Sequence, residues 1–179
     1  MDLKKFDSIL LEPCKVSLFI GPSGCGKITK IQEYLKSLNT VNGLITSEEE
    51  KINELFNHQR QARKKFEKAY LVIKVIKNFN DDMTKLRFLF LTGRTHLLCT
   101  FISMEYCVYL PVILRINVDY IFVYKTENTE SLNRIYQYYG RMLGSFETFL
   151  EVIEKYGCVV FDTKENQAFY IDSGHLPGA

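Results

Sequence analysis

The residues with the clearest chemistry lie between positions 21 and 29. Gly21, Pro22, Ser23, Gly24, Cys25, Gly26 and Lys27 meet the spacing G-x-x-x-x-G-K. Glycines at these places let backbone N–H groups turn inward around phosphate oxygens, and the lysine neutralises the charge of β and γ phosphates. The pattern ordinarily continues with a hydroxyl that ligands the Mg²⁺ bridging those phosphates. Here that position is Ile28, which carries no oxygen, and Thr29 follows one place later. One residue turns the side chain about 100° around a helix, so Thr29 does not simply replace the missing ligand. The stretch points to phosphate binding; for magnesium it offers no oxygen at the usual place.

A nucleotide hydrolase also needs a carboxylate at a strand end for Mg²⁺, and usually a second acid to position water. Two segments compete for this part. CVVFD (158–162) is an apolar run closed by Asp162, the better local pattern, with Glu165 three residues on. FNDDM (79–83) offers the adjacent pair Asp81 and Asp82, but IKNFN before it is poorer as a buried strand. A solvated turn is the commoner fate of an aspartate, and it competes with both.

The elements around the glycines suit them. VSLFI (16–20) is a short apolar run stopped by Gly21, as in a fully buried strand. Ile28, Ile31, Leu35 and Leu38 follow at helical spacing, which points the helix N-terminus at an anion. SEEEKINELF opens a long helix over 47–69, with serine as cap and glutamates in the first turn. Strands are predicted at 70–76, 97–104 and 119–125, and helices at 130–139 and from Phe146 onward. Residues 158–162 and 168–172 read as a closing pair of strands, while 85–91 fits helix or strand equally. This alternation predicts an α/β fold with a mainly parallel β-sheet flanked by helices, in one domain over residues 1–179.

Composition narrows the function classes. A formal charge of +2 does not announce a nucleic-acid partner, so any polyanion must meet a local cluster of bases. Five scattered cysteines without a C-x-x-C pair argue against a disulfide framework and a structural zinc site. His58, His96 and His175 lie far apart and form no local metal-ligand spacing. No apolar run reaches the roughly 18 residues of a membrane span, so a soluble intracellular protein is expected, with no membrane partner. The tyrosines of YQYYG (136–140), and Tyr106, Tyr109, Tyr120 and Tyr124, invite a base-stacking reading, but most are expected in the core or on half-buried strands.

The order of segments after Asp81 adds a family likeness. The pair Asp81–Asp82 is followed by Gly93, Arg94, Thr95 and His96, then by a strand running to Glu105. Pro111, Arg115 and Asn117 then lead into a further strand. Over roughly residues 16 to 126 this succession resembles the genome-packaging ATPases of poxviruses and other large DNA viruses, within the FtsK/HerA superfamily of P-loop motors. The resemblance implies a RecA/FtsK-like P-loop NTPase fold that binds ATP and Mg²⁺ and couples hydrolysis to translocation of viral double-stranded DNA. It places ATP along Gly21 to Thr29, the metal on Asp81, the attacking water near Asp82 and Glu105, and Arg115 or Arg94 at a neighbouring subunit's site. It further implies a homo-oligomeric ring around DNA, capsid or other packaging proteins as partners, and a location in host cytoplasm or virion.

The departures define the alternative. Ile28 replaces Ser or Thr, Thr95 is inserted into a G-R-H segment, and Glu105 stands where glutamine is usual. The intervals before and after the acidic pair are also short. These changes suit a hydrolysis-deficient nucleotide-binding or structural relative acting within a complex. Two other owners of the loop fit poorly. Guanylate-kinase-like enzymes need basic residues soon after the first helix, whereas 39–58 holds three consecutive glutamates and no arginine. Transporter nucleotide-binding domains carry an S-G-G-Q signature, which this chain lacks. Arg60, Lys64 and Lys68 share a helical face that suits DNA phosphates, though a solvated helix face explains them equally well.

Overall fold

The computed structural model describes residues 2–7, 14–37, 42–46, 49–62, 69–75, 89–106 and 112–171. Among the described residues eight strands form one sheet: β1 (Lys4–Lys5), β2 (Val16–Ile20), β3 (Asn42–Thr46), β4 (Ala69–Val75), β5 (Leu98–Met104), β6 (Tyr120–Tyr124), β7 (Cys158–Asp162) and β8 (Gln167–Tyr170). Their order is β1-β8-β7-β6-β2-β5-β4-β3. Pairings through the middle, from β6 across β2, β5 and β4 to β3, are parallel. The strands β6, β7 and β8 run antiparallel in turn, and β1 lies parallel to β8. The sheet is therefore mainly parallel, as the alternation of elements predicts, and the closing hairpin is the pair expected after position 158.

Burial explains why these runs are strands. Every residue of β2, β5 and β6 is buried, which suits near-continuous apolar sequence covered on both faces. Side chains alternate between two cores. Val16, Leu18, Ile20, Ile121, Val123 and Phe161 enter one; Phe19, Val72, Phe101, Phe122 and Val160 enter the other. In the second core Phe19 and Phe122 stack at 4.1 Å with their planes 3° apart. Fully burying a side chain of this size is worth about 1.5–3 kcal/mol.

Helices close both faces. The first, α1 (Lys27–Ser37), places Ile31 and Tyr34 in the second core. Next comes α2 (Glu49–Ala62), the described part of the helix expected over 47–69. A four-residue helix α3 (Val112–Arg115) precedes β6, and residues 89–92 are helical as well. Opposite α1, α4 (Thr129–Tyr138) and α5 (Phe146–Tyr156) bury Leu132, Ile135, Phe149, Val152 and Ile153 in the first core. Asn128 and Ser145 cap them by accepting the N–H groups of Ser131 and Thr148.

The strand order creates a switch beside β2. After β2 the chain goes by α1 to β3 at the far edge, returns through β4 and β5, then crosses over β2 to β6. Connections leave in opposite directions at this point, and open α/β sheets bind ligands there, beyond the carboxyl ends of the strands. The loop after Ile20 occupies that place.

Candidate functional site

The loop's backbone is held by its neighbours on both sides. The Gly21 N–H donates to the Met104 carbonyl at 3.2 Å, tying the end of β2 to the end of β5. On the other side β6 crowds Gly21: a Cβ there would sit 2.5 Å from the Tyr124 Cβ and 3.1 Å from the Cys25 Sγ. Only glycine passes this point without displacing β6. Gly24 and Gly26 have φ of 79° and 86°, a region that side chains disfavour, so the remaining glycines serve the curl of the loop. The Lys30 N–H reaches the Gly26 carbonyl at 2.9 Å and starts α1, whose first N–H groups have no intrahelical acceptor and face the loop.

Lys27 is the charge at the centre. It is 7% exposed, and its Nζ donates to the carbonyls of Gly21 and Pro22, both at 2.6 Å, with the Cys25 Sγ at 3.6 Å. Thiols and a phenol pack beneath the loop. Burial pushes the Cys25 thiol above its ordinary pKa, although Lys27 beside it acts in the opposite direction. Burial likewise raises the Tyr124 phenol and the Cys158 thiol under the loop. An anion arriving here meets the Lys27 ammonium and a set of backbone dipoles in a partly dry surrounding, where each counts for more than in water.

The two residues after the lysine separate. Ile28 is half-buried and packs against the core beneath α1, while Thr29 is exposed on the next position of the helix. The hydroxyl expected beside the phosphates is thus replaced by an aliphatic side chain that the core uses.

Glu105 leaves β5 beside the end of β2. Ile20 is paired with Met104, so the residue after Met104 lies level with Gly21, at the same edge of the sheet. Its Oε2 accepts the Tyr106 hydroxyl at 3.1 Å, and this carboxylate holds the Tyr106 phenol above its ordinary pKa. Asp81 and Asp82 lie outside the described residues. The strand before them, β4, ends at Val75 opposite Met104, so the chain leaves it at the loop's edge. Lys64, Lys68 and Pro111 also lie outside the described residues, as does the side chain of Arg60.

Several expected residues sit at the other end of the sheet. Asp162 pairs with Tyr120 at the start of β6, and its Oδ1 accepts the N–H groups of Lys164 and Glu165 at 2.9 and 3.0 Å. It fastens the β7–β8 turn and is remote from the phosphate loop, which removes it as a competitor for the metal. The cause is strand direction: β7 runs antiparallel to β6, so its carboxyl end points away from the loop.

Arg94 also lies at that end. Its Nη2 donates to the Asn117 carbonyl at 2.8 Å and to the Asp119 Oδ2 at 2.6 Å. Asp119 is 1% exposed, accepts the Val16 N–H at 2.9 Å, and has the Lys15 ammonium at 3.9 Å. The pair joins the beginnings of β2 and β6 to the turn before β5. His96 Nδ1 lies 2.9 Å from the Thr92 carbonyl and 3.0 Å from the Thr95 hydroxyl within that turn. Arg115 stacks over the Tyr138 ring at 4.0 Å, again at the beginning of β6. Asp119 carries this end of the sheet, and its only signal in the sequence is an acid immediately before an apolar run.

No protein-family model and no curated protein matches the sequence. Solved structures do match. B204, the DNA-packaging ATPase from Sulfolobus turreted icosahedral virus, aligns at a TM-score of 0.72 and 14% identity over 92% of this chain and 100% of its own. The genome-packaging NTPase B204 from Sulfolobus turreted icosahedral virus 2, in complex with sulfate, aligns at 0.71 and 14% over 90% and 97%. Its complex with ATP-gammaS aligns at 0.70 and 14% over 88% and 97%. The chain has the α/β fold of these packaging NTPases.

Proposed function

We propose that the protein is a divergent genome-packaging ATPase that binds ATP at the Gly21–Thr29 loop. One observation carries this reading. A glycine loop at the switch point of a parallel sheet encloses a buried lysine, on a chain that shares its fold with packaging NTPases over 92% of its length. Lys27 exchanges its contacts with the Gly21 and Pro22 carbonyls for phosphate oxygens, and the N–H groups that open α1 complete the cradle. Glu105, level with Gly21 by the β2–β5 register, is the carboxylate this reading assigns to orient water at the terminal phosphate. Its charge opposes that phosphate, so tight binding and water positioning pull in different directions at this residue.

Magnesium fits the described residues poorly. Ile28 has no oxygen, Thr29 faces solvent, and among the described residues no cluster of three His, Cys, Asp or Glu side chains is formed. The acids proposed for the metal and the water are Asp81 and Asp82, which follow β4 from the loop's edge. Bound Mg²⁺ would screen the charge of the phosphates. Duplex DNA and further copies of the chain are the proposed partners, with hydrolysis driving movement along DNA. Any action of Arg115 on a nucleotide in a phosphate loop requires a neighbouring copy, because it lies at the opposite edge from its own loop.

Phosphate release measured with and without duplex DNA, for the wild type and Lys27→Ala, tests the proposal. Release that DNA stimulates and Lys27→Ala abolishes is expected. ATP binding without any release, with or without DNA, contradicts the motor and leaves a nucleotide-binding relative.

A further inference from the structure

A second recess lies at the edge of the sheet away from the phosphate loop, between α3, the end of α4 and the β7–β8 turn. It is a cavity of about 460 Å³. Two cations reach it, Arg115 and Lys164, and no carboxylate lines it among the described residues. Arg115 Nε is buried without a hydrogen-bond partner, and the guanidinium carbon sits over the Tyr138 ring, 4.0 Å from its centroid, a contact that holds the cation at the cavity wall. Neither cation forms an ion pair among the described residues. The turn is braced: Asp162 Oδ1 holds the Lys164 N–H, and the Thr163 hydroxyl donates to the Val118 carbonyl at 2.6 Å. Asn166, with φ of 52°, adds an amide to the lining. The remaining wall is apolar, from Val112, Ile116 and Met142, and Val112 and Ile116 are 58% and 63% exposed.

We propose that this cavity is a second anion site, which takes the phosphate of a mononucleotide on Arg115 and Lys164 and its flat base against Val112, Ile116 and Met142. The volume lies within the range of small-molecule sites and is amphipathic, as such a ligand is. A planar guanidinium suits a phosphate's paired oxygens. A duplex backbone would call for a row of cations along a surface; here two converge on one recess. The site is separate from the loop. A five-residue strand spans about 17 Å, and β2 and β6 put the loop and the cavity at opposite ends of such strands. One nucleotide cannot touch both, so this proposal stands whether or not the loop hydrolyses ATP.

Calorimetric titration of the full chain with AMP tests it, in the wild type, in Lys27→Ala, and in Lys27→Ala combined with Arg115→Gln or with Lys164→Ala. Lys27→Ala is expected to keep one saturable equivalent, which inorganic phosphate displaces. Either further substitution is expected to weaken it about tenfold or more, the loss that accompanies a charge-assisted hydrogen bond. Lys164 is exposed on a turn, so Lys164→Ala alone, in a chain with its loop intact, keeps the test decisive if Lys27→Ala does not fold. That single variant is expected to bind its second equivalent of AMP at least about tenfold more weakly than the wild type does. No AMP binding beyond the loop's, or binding indifferent to both substitutions, overturns the proposal. So does AMP binding that depends on Arg115 only while Lys27 is intact, since that is a neighbour's loop. Capture of duplex DNA by these residues with no affinity for AMP overturns it as well.

Discussion

The Gly21 N–H donates to the Met104 carbonyl at 3.2 Å, and this one bond levels Glu105 with the phosphate loop. Residues more than eighty positions apart in sequence meet because β2 and β5 are parallel neighbours in register. The loop that leads to the lysine, and the acid of the candidate site, thus leave the ends of two neighbouring buried strands, and the lysine itself opens α1.

Glu105→Gln separates binding from chemistry. Removing a general base costs about 10²–10⁴-fold in rate, and removing a negative charge beside the terminal phosphate leaves ATP bound as tightly or more tightly. Single-turnover phosphate release and equilibrium binding, measured on the same variant, check both halves. Unchanged release would take Glu105 out of the site.

Gly21→Ala places a methyl group 2.5 Å from the Tyr124 Cβ. Overpacking at such a contact costs about 1–3 kcal/mol, and here the strain falls on the bond that aligns β2 with β5. Urea unfolding is expected to show the loss in stability, with weaker nucleotide binding in the protein that remains folded. A variant as stable as the wild type would mean that β6 yields at Tyr124 without cost.

Arg94→Ala leaves the buried Asp119 carboxylate with the more distant Lys15 as its remaining cation. Removing one partner from a buried pair costs about 3–5 kcal/mol, the upper figure applying where neither side chain meets water; Arg94 is partly exposed, so the lower end is expected. The effect should appear in the unfolding midpoint and not in nucleotide affinity, because the pair is at the far end of the sheet. A folded, stable Arg94→Ala protein with lost hydrolysis would instead assign Arg94 to the reaction.

Ile28→Thr returns a hydroxyl to the end of the glycine loop. The loss of apolar packing under α1 is expected to cost about 1 kcal/mol in thermal unfolding. Magnesium is expected to strengthen ATP binding more in this variant than in the wild type. An equal response to Mg²⁺ in both proteins would show that position 28 does not face the metal.

How much of this was legible in the sequence depended on range. The loop was, because G-x-x-x-x-G-K between an apolar run and an amphipathic helix is a local pattern with a local cause. Glu105 was reached through resemblance to a family, and the register of β2 and β5 then set it beside the loop. Asp162 misled because four apolar residues and an aspartate look the same in parallel and antiparallel strands. Direction belongs to the sheet and not to the run. Arg94 and Asp119 are twenty-five residues apart and bond across two chain reversals, so neither side chain advertised the other. The helix α3 has four residues and β1 has two, too few for any period to show. The cavity beside Arg115 needed three segments from different parts of the chain, and only the fold assembles them.

The central claim, a working nucleotide loop despite Ile28, is tested most directly by titrating a fluorescent ATP analogue into the wild type and Lys27→Ala, with and without Mg²⁺. Wild-type binding of one equivalent at the loop that falls by at least about a hundredfold in Lys27→Ala, with any binding at the Arg115 cavity kept in both proteins, is the expected result, the scale of losing a buried charge-assisted contact to phosphate. Equal affinity in the two proteins, or no saturable binding in either, would contradict it and leave the glycine loop as a turn between β2 and α1.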